Sequence, residues 1–274
     1  SDAFRELVTV PGVIAKMITQ DVPLPPLEKV RYGPHKRNYI LIYEPPEGVT
    51  PRDEIIYFIH GGGWRMGSPE RRRPLVKLFT DLGYAVMMPA YRVTPSVSFP
   101  EIHTDTFRGF REALHHPFAE SRRFILVGES AGGNLAALLA FDKESHARYE
   151  FEAASIAGLL SVVGVLDMEP LPDTFVVRDY SGPRGGAMFK RANAMYLLGE
   201  KSNIPVLAIH GDNDGLVPHA SAENFINRLN QLSPGLGQLE LVPEGTHVSV
   251  ATDWYFEGSA LRKIILDWVA SISN

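Results

Sequence analysis

Phe124-Ile125-Leu126-Val127-Gly128-Glu129-Ser130-Ala131-Gly132-Gly133-Asn134 is an apolar run that enters the pattern G-x-S-x-G and leaves it for an alanine-rich stretch. The first part reads as a buried strand and the continuation as a helix. A serine between the two sits on a very tight strand-to-helix turn, its hydroxyl lifted clear of the sheet. The positions two before and two after it must be small, because the two backbones nearly touch there. Gly128 and Gly132 meet that demand. The helix N-terminus behind Ser130 also places backbone N–H groups and positive dipole where an anion can form. Short patterns of common residues arise by chance, but the flanking strand and helix and a second motif upstream raise this one above that level.

The second motif is His60-Gly61-Gly62-Gly63-Trp64, which follows the apolar run Glu54-Ile55-Ile56-Tyr57-Phe58-Ile59. Consecutive glycines at the end of a strand let the backbone take conformations closed to other residues and approach a ligand closely. A plain glycine-rich turn is the simpler reading. The sharper one is an oxyanion hole, in which the N–H groups of Gly62, Gly63 and Ala131 point at the oxygen of a tetrahedral intermediate. Losing one such donor costs about 3 kcal/mol of transition-state stabilisation. His60 reads as a brace for this loop.

The wider composition sets bounds. A chain of 274 residues is long for an average domain and normal for a single α/β domain. Hydrophobic residues make up 45%, an ordinary globular value that argues against disorder. A net charge of −5 and a pI near 6.0 give no reason to expect nucleic acid or an anionic membrane as partner. The basic run Arg71-Arg72-Arg73 reads as a solvated face at a helix start. With no cysteine, disulfides and thiol chemistry are excluded, although the compartment is left open. No uninterrupted apolar stretch reaches the length of a membrane span. No signal peptide is visible and the first residue is Ser1, so a cytoplasmic location is the expectation and a removed leader the alternative.

From about residue 36 strand and helix patterns alternate, which predicts a mostly parallel sheet covered on both faces. Strands are expected at 39–43, 55–60, 85–89, 124–128, 155–163, 205–210 and 239–242, and helices at 72–82, 102–115, 133–141, 220–232 and 259–271. The whole chain, 1–274, reads as one domain. Two stretches fall outside the rhythm: residues 1–30, amphipathic and then proline-rich, and residues 167–200, rich in Pro, Gly, Asp and Met. Long excursions within a compact domain are often functional, and both are candidate cap elements; a packing arm and a surface loop are the alternatives.

A serine hydroxyl needs an adjacent general base that is itself oriented by an acid. On this kind of fold the chain order is serine, acid, histidine. After Ser130 come His146, His210, His219 and His247. His146 is placed at the end of the helix that Ser130 begins, and His210 ends a strand. His247, in a loop between the last strand and the last helix, is the choice, with His219 second. For the acid, Asp214 and Asp212 both follow the strand at 205–210, and Asp167 follows the preceding one. Spacing alone favours Asp214 modestly.

Taken together, these motifs resemble those of the α/β-hydrolases, closest to carboxylesterases of the hormone-sensitive-lipase group. His60-Gly61-Gly62-Gly63-Trp64 is similar to the group's oxyanion loop and Gly128-Glu129-Ser130-Ala131-Gly132-Gly133 to its nucleophile motif. Tyr91-Arg92-Val93-Thr94-Pro95 with Phe99-Pro100 resembles its Tyr-Arg-Leu-Ala-Pro-Glu…Phe-Pro segment, with Thr94 and Ser96 standing where Ala and Glu are usual. Gly211-Asp212-Asn213-Asp214 resembles its acid loop, which moves the acid firmly to Asp214, although the Pro-Leu-x-Asp continuation of the lipase-like members is missing. Glu244-Gly245-Thr246-His247 resembles its histidine loop. The resemblance covers roughly residues 36–274 and leaves both candidate cap elements unmatched.

It implies an α/β-hydrolase fold and a serine hydrolase with Ser130 as nucleophile, His247 as base and Asp214 as orienting acid. A small-molecule ester is the implied substrate, with no metal or cofactor required. An arylformamidase or other amidase is the nearest alternative, because Trp64 can stack an aromatic ring in a substrate site. A serine aminopeptidase lacks room for a large accessory region. A non-catalytic ligand-binding protein of the same fold usually goes with a lost triad member, and all three are present. Trp64, Met66, Met188, Phe189 and Tyr196 are candidates to narrow the carbonyl pocket toward short acyl groups. Oligomeric state is not legible.

Overall fold

The computed structural model describes residues 25–273. Strands β2 (Tyr39–Tyr43), β3 (Glu54–Ile59), β4 (Ala85–Ala90), β6 (Ile156–Val162) and β7 (Val206–Gly211) are buried at every position, and β5 (Arg123–Glu129) at every position but its first. Continuous apolar runs of this kind belong in a sheet covered on both sides. The sheet has eight strands in the order β1-β2-β4-β3-β5-β6-β7-β8, with β1 at Glu28–Arg31 and β8 at Gly237–Val242. β2 runs antiparallel to its neighbours and the strands from β4 to β8 pair in parallel.

Alternation along each strand divides the core in two. Ile55, Tyr57, Phe124 and Leu126 pack with α2 (Phe99–His115), α3 (Ala131–Phe141) and α7 (Ala220–Leu232) on one face. Ile56, Phe58, Ile125 and Val127 pack with α1 (Arg73–Thr80), α8 (His247–Asp253) and α9 (Ala260–Ile272) on the other. Helix α2 starts at a capping box made by Ser98 and Glu101. α3 is buried along its whole length, which explains why Ala and Leu fill it without a polar stripe.

Several elements differ from what the sequence pattern predicts. Edge strand β1 (Glu28–Arg31) pairs with β2 from Glu28 opposite Ile42 to Arg31 opposite Tyr39, and its one apolar residue gives no readable alternation. It takes in the end of the candidate cap element at 1–30; that element lies outside the described residues up to position 24. α3 stops at Asp142, so His146 belongs to a separate helix, α4 (Lys143–Tyr149), with its Nε2 against the Leu139 carbonyl at 2.6 Å.

The stretch 167–200 folds into α5 (Phe175–Ser181), α6 (Ala187–Ala192) and a short 3₁₀ turn, and it is stitched to α3. Tyr180 donates its hydroxyl to Asn134 Oδ1 at 2.8 Å, and Asn134 Nδ2 donates to the Ala192 carbonyl at 3.0 Å. Phe189 is fully buried in the core, whereas Tyr196 is exposed and bonds Glu169.

Candidate active site

Ser130 stands between β5 and α3 with φ 53° and ψ −119°, a positive-φ conformation that residues other than glycine rarely adopt. The turn is held from both sides, since the Ser130 N–H donates to Val162 O at 3.0 Å and Val165 N–H donates to Ser130 O at 3.1 Å. Val163 between them also takes a positive φ, 46°. A β-branched residue there stores about 1–3 kcal/mol of strain, which the surrounding packing must offset. The glycine requirement is steric: a Cβ on Gly128 would meet Gly132 O at 2.5 Å, and one on Gly132 would meet Ile59 O at 2.1 Å.

His247 is the first residue of α8 rather than a loop residue. Thr246 and Ser249 form the capping box that starts this helix, and His247 is buried in its first turn. Its Nε2 lies 3.0 Å from Ser130 Oγ and its Nδ1 2.7 Å from Asp214 Oδ2. Asp214 follows β7; its Oδ1 accepts the N–H groups of Leu216 and Val217 at 2.9 and 2.8 Å. Burial works to raise the Asp214 carboxyl, but hydrogen bonds from His210 and then His247, with the Val217 N–H, hold it well below the usual carboxylate range. An ionised carboxylate beside Nδ1 favours the tautomer of His247 that carries its proton on Nδ1 and turns a lone pair on Nε2 toward Ser130 Oγ. Of the other candidates, Asp212 is exposed, His219 sits beside Glu223 at 3.8 Å, and Asp167 is engaged by Asn193 and Asn224.

The glycine loop faces the same point. A Cβ on Gly61 would lie 3.1 Å from Ser130 Cβ. Gly62 and Gly63 have φ of 120° and 60°, and among the described residues their N–H groups and that of Ala131 donate to no protein atom. The loop is braced by residues whose role the sequence did not reveal. Tyr91 donates to the His60 carbonyl at 2.8 Å and stacks on the His60 ring at 4.5 Å. Thr94 N–H donates to Trp64 O at 2.8 Å, and Arg92 grips Asp105 with two side-chain bonds. Burial lowers the His60 imidazole to about 3, so it braces the loop as a neutral ring. Trp64 is buried and lies flat on Tyr180 of α5, ring centroids 4.1 Å apart. The indole therefore stacks on the protein's own aromatic ring.

Arg72 departs from the solvated face expected of the basic run. It makes two contacts with Glu129, the residue before Ser130, at 2.6 and 3.1 Å, and Tyr255 donates to the same carboxylate at 3.3 Å. Among the described residues no group of three or more His, Cys, Asp or Glu side chains is arranged to hold a metal ion. No described helix is long and apolar enough to cross a membrane.

Residues 40–229, which carry the glycine loop and the serine turn, match the BD-FAE family. The chain belongs to the BD-FAE family. Its relatives include the probable carboxylic ester hydrolase LipM of Mycobacterium tuberculosis (strain ATCC 25618 / H37Rv), 27% identical over 225 residues, which are 74% of this chain and 52% of LipM. Neutral cholesterol ester hydrolase 1 of Bos taurus is 34% identical over 103 residues, 35% of this chain and 25% of that protein. The match thus spans about half the length of LipM and a quarter of that of neutral cholesterol ester hydrolase 1. The structure is similar to that of esterase B from Lactobacillus Rhamnosis (HN001), with a TM-score of 0.76, 21% identity, and coverage of 99% of this chain and 95% of that one. This BD-FAE member has the α/β-hydrolase fold that its motifs implied.

Proposed function

We propose that this protein is a serine carboxylesterase that cleaves esters through an acyl-enzyme. The reading is carried by one continuous chain of contacts, Ser130 Oγ to His247 Nε2 and His247 Nδ1 to Asp214, set against a loop of uncommitted N–H donors. It is supported by relatives that carry the names of ester hydrolases. Ser130 Oγ attacks the ester carbonyl carbon as its proton passes to His247 Nε2. The carbonyl oxygen becomes an oxyanion facing the N–H groups of Gly62, Gly63 and Ala131, while Asp214 stabilises the imidazolium. Collapse breaks the bond to the alkoxy oxygen, which leaves as an alcohol with the proton from His247. A water molecule then gives a proton to His247 and attacks the acyl carbon; collapse breaks the bond to Ser130 Oγ, which takes the proton back from His247 as the carboxylic acid leaves. Proton transfer by a placed histidine contributes about 10²–10⁴-fold.

The placement of α5 supports a preference for short acyl groups. A Cβ on Gly63 would lie 3.3 Å from Val176 Cγ1, so a branched side chain bounds the space next to the oxyanion donors. Arg65 ties this helix down through Asp179 at 2.6 Å. Short acyl groups fit such a site. Hydrolysis of p-nitrophenyl acetate, butyrate and octanoate tests the reading: kcat/KM is expected to be higher for the two shorter esters. A profile that rises toward and beyond octanoate overturns the acyl assignment, and a folded enzyme inactive on all three overturns esterase activity itself.

A further inference from the structure

Asp214 holds two histidines. Besides His247, the ring of His210 reaches it: His210 Nε2 lies 3.1 Å from Asp214 Oδ2, the same oxygen that faces His247, and 2.9 Å from the Val217 carbonyl. Both neighbours of this nitrogen are acceptors, so Nε2 carries a proton and shares it between them. The other ring nitrogen, Nδ1, is buried with no hydrogen-bond partner, so a proton there would be an unsatisfied donor. His210 and the Asp214 side chain are both fully buried.

The surroundings leave few other groups to act on this carboxylate. His210 comes from β7, Asp214 from the loop after it, His247 from the first turn of α8 and Ser130 from the turn before α3. On the neighbouring strands Leu241 of β8 lies opposite His210, and Val162 of β6 opposite Ile209. His219 and Glu223, near the start of α7, face each other. Among the described residues no lysine or arginine pairs with Asp214.

We propose that His210 is a positioning residue for the catalytic acid, fixing the Asp214 carboxylate and sharing its negative charge so that His247 remains a weaker, unprotonated base at lower pH. The proposal rests on the serine-esterase reading of this site. The sign follows from the shared oxygen. Each donor on Asp214 Oδ2 draws on charge that would otherwise stabilise the His247 imidazolium. Removing the His210 donor therefore makes His247 more basic, and the acid limb of kcat/KM, which reports protonation of the free base, moves to higher pH. The Val217 carbonyl also loses its donor, and with it the loop that presents Asp214 loosens.

The test compares wild type, His210→Leu, His210→Gln and Ser130→Ala on p-nitrophenyl butyrate from pH 5 to 9. In His210→Leu the acid limb is expected to rise by roughly half a unit to one unit. Its kcat is expected to fall about tenfold through lost orientation. His210→Gln, which can still donate, should return the limb most of the way. A limb unmoved in His210→Leu, whatever happens to kcat, overturns the proposal and leaves the serine mechanism standing. Full activity in Ser130→Ala overturns both. A measurement on the wild type covers the case of a Leu variant that fails to fold: ¹⁵N spectra of histidine-labelled protein at pH 7 should give His210 a protonated Nε2 and a bare Nδ1. A proton on Nδ1 overturns the proposal.

Discussion

Arg72→Met should expose how much the serine turn depends on the ion pair beneath it. Glu129 is about 5% exposed, and its carboxylate takes two contacts from Arg72, at 2.6 and 3.1 Å, and one from Tyr255 at 3.3 Å. Without the guanidinium only the weakest of the three remains, and breaking a buried pair from one side costs about 3–5 kcal/mol. Arg72 keeps 22% side-chain exposure, so water can enter and the lower end of that range applies. About 3 kcal/mol in a chain of this size corresponds to a drop in Tm of roughly 6–12 °C. Glu129→Gln leaves a charge that can reach water and should cost less, about 1–2 kcal/mol. The double variant should lose less than the sum of the two, with a coupling of about 1–3 kcal/mol. Calorimetry of the four proteins gives the cycle, and ester hydrolysis gives its cost to the turn: because Glu129 adjoins Ser130, kcat should fall in Arg72→Met while the variant is still folded. A Tm within roughly 2 °C of wild type would refute the reasoning and return Arg72 to the solvated face its sequence suggested.

Tyr180→Phe keeps the stack on Trp64 but strands Asn134 Oδ1, and thermal melting should report a loss of about 1–3 kcal/mol with little change in kcat. Tyr180→Ala also removes the stack that pins the glycine loop, so its kcat should fall well below that of Tyr180→Phe; equal rates would unlink the loop from α5. His60 gives a pH prediction. Its folded value of about 3 lies below the ordinary 6.5, so between those pH values the unfolded chain binds a proton that the folded one refuses. Stability contributed here is intact above pH 6.5 and declines as pH falls toward 3, by at most about 5 kcal/mol. Urea titrations of wild type and His60→Gln between pH 7 and 4 should converge on lowering the pH if this holds, and run parallel if it does not.

What was legible in the sequence is what local chemistry alone dictates. The apolar runs at 39–43, 55–60 and 124–128 needed no tertiary information, because strands buried on both faces have no other composition. Of the candidate site residues, Ser130 left a local trace in its tight turn between strand and helix, whereas Asp214 was singled out from Asp212 by the family resemblance and His247 by its place after the last strand. β1 left none: Glu28, Lys29 and Arg31 sit on an exposed edge where nothing selects for alternation. α8 was hidden by Val248, Val250 and Thr252, whose branched side chains disfavour helix, while Thr246 and Ser249 cap it into one. Arg72 was misread, and the contacts of His210 missed, for a different reason. A charged run looks solvated and a strand-end histidine looks incidental until the partner, 57 residues away for Arg72, is brought alongside.

The most direct measurement is the rate of p-nitrophenyl butyrate hydrolysis by Ser130→Ala beside wild type, with folding of both checked by thermal melting. Loss of the nucleophile should reduce turnover by about a million-fold, to the limit of detection. A folded Ser130→Ala that keeps a rate within about tenfold of wild type would contradict the account, because chemistry would then proceed without the acyl-enzyme on which every other step depends.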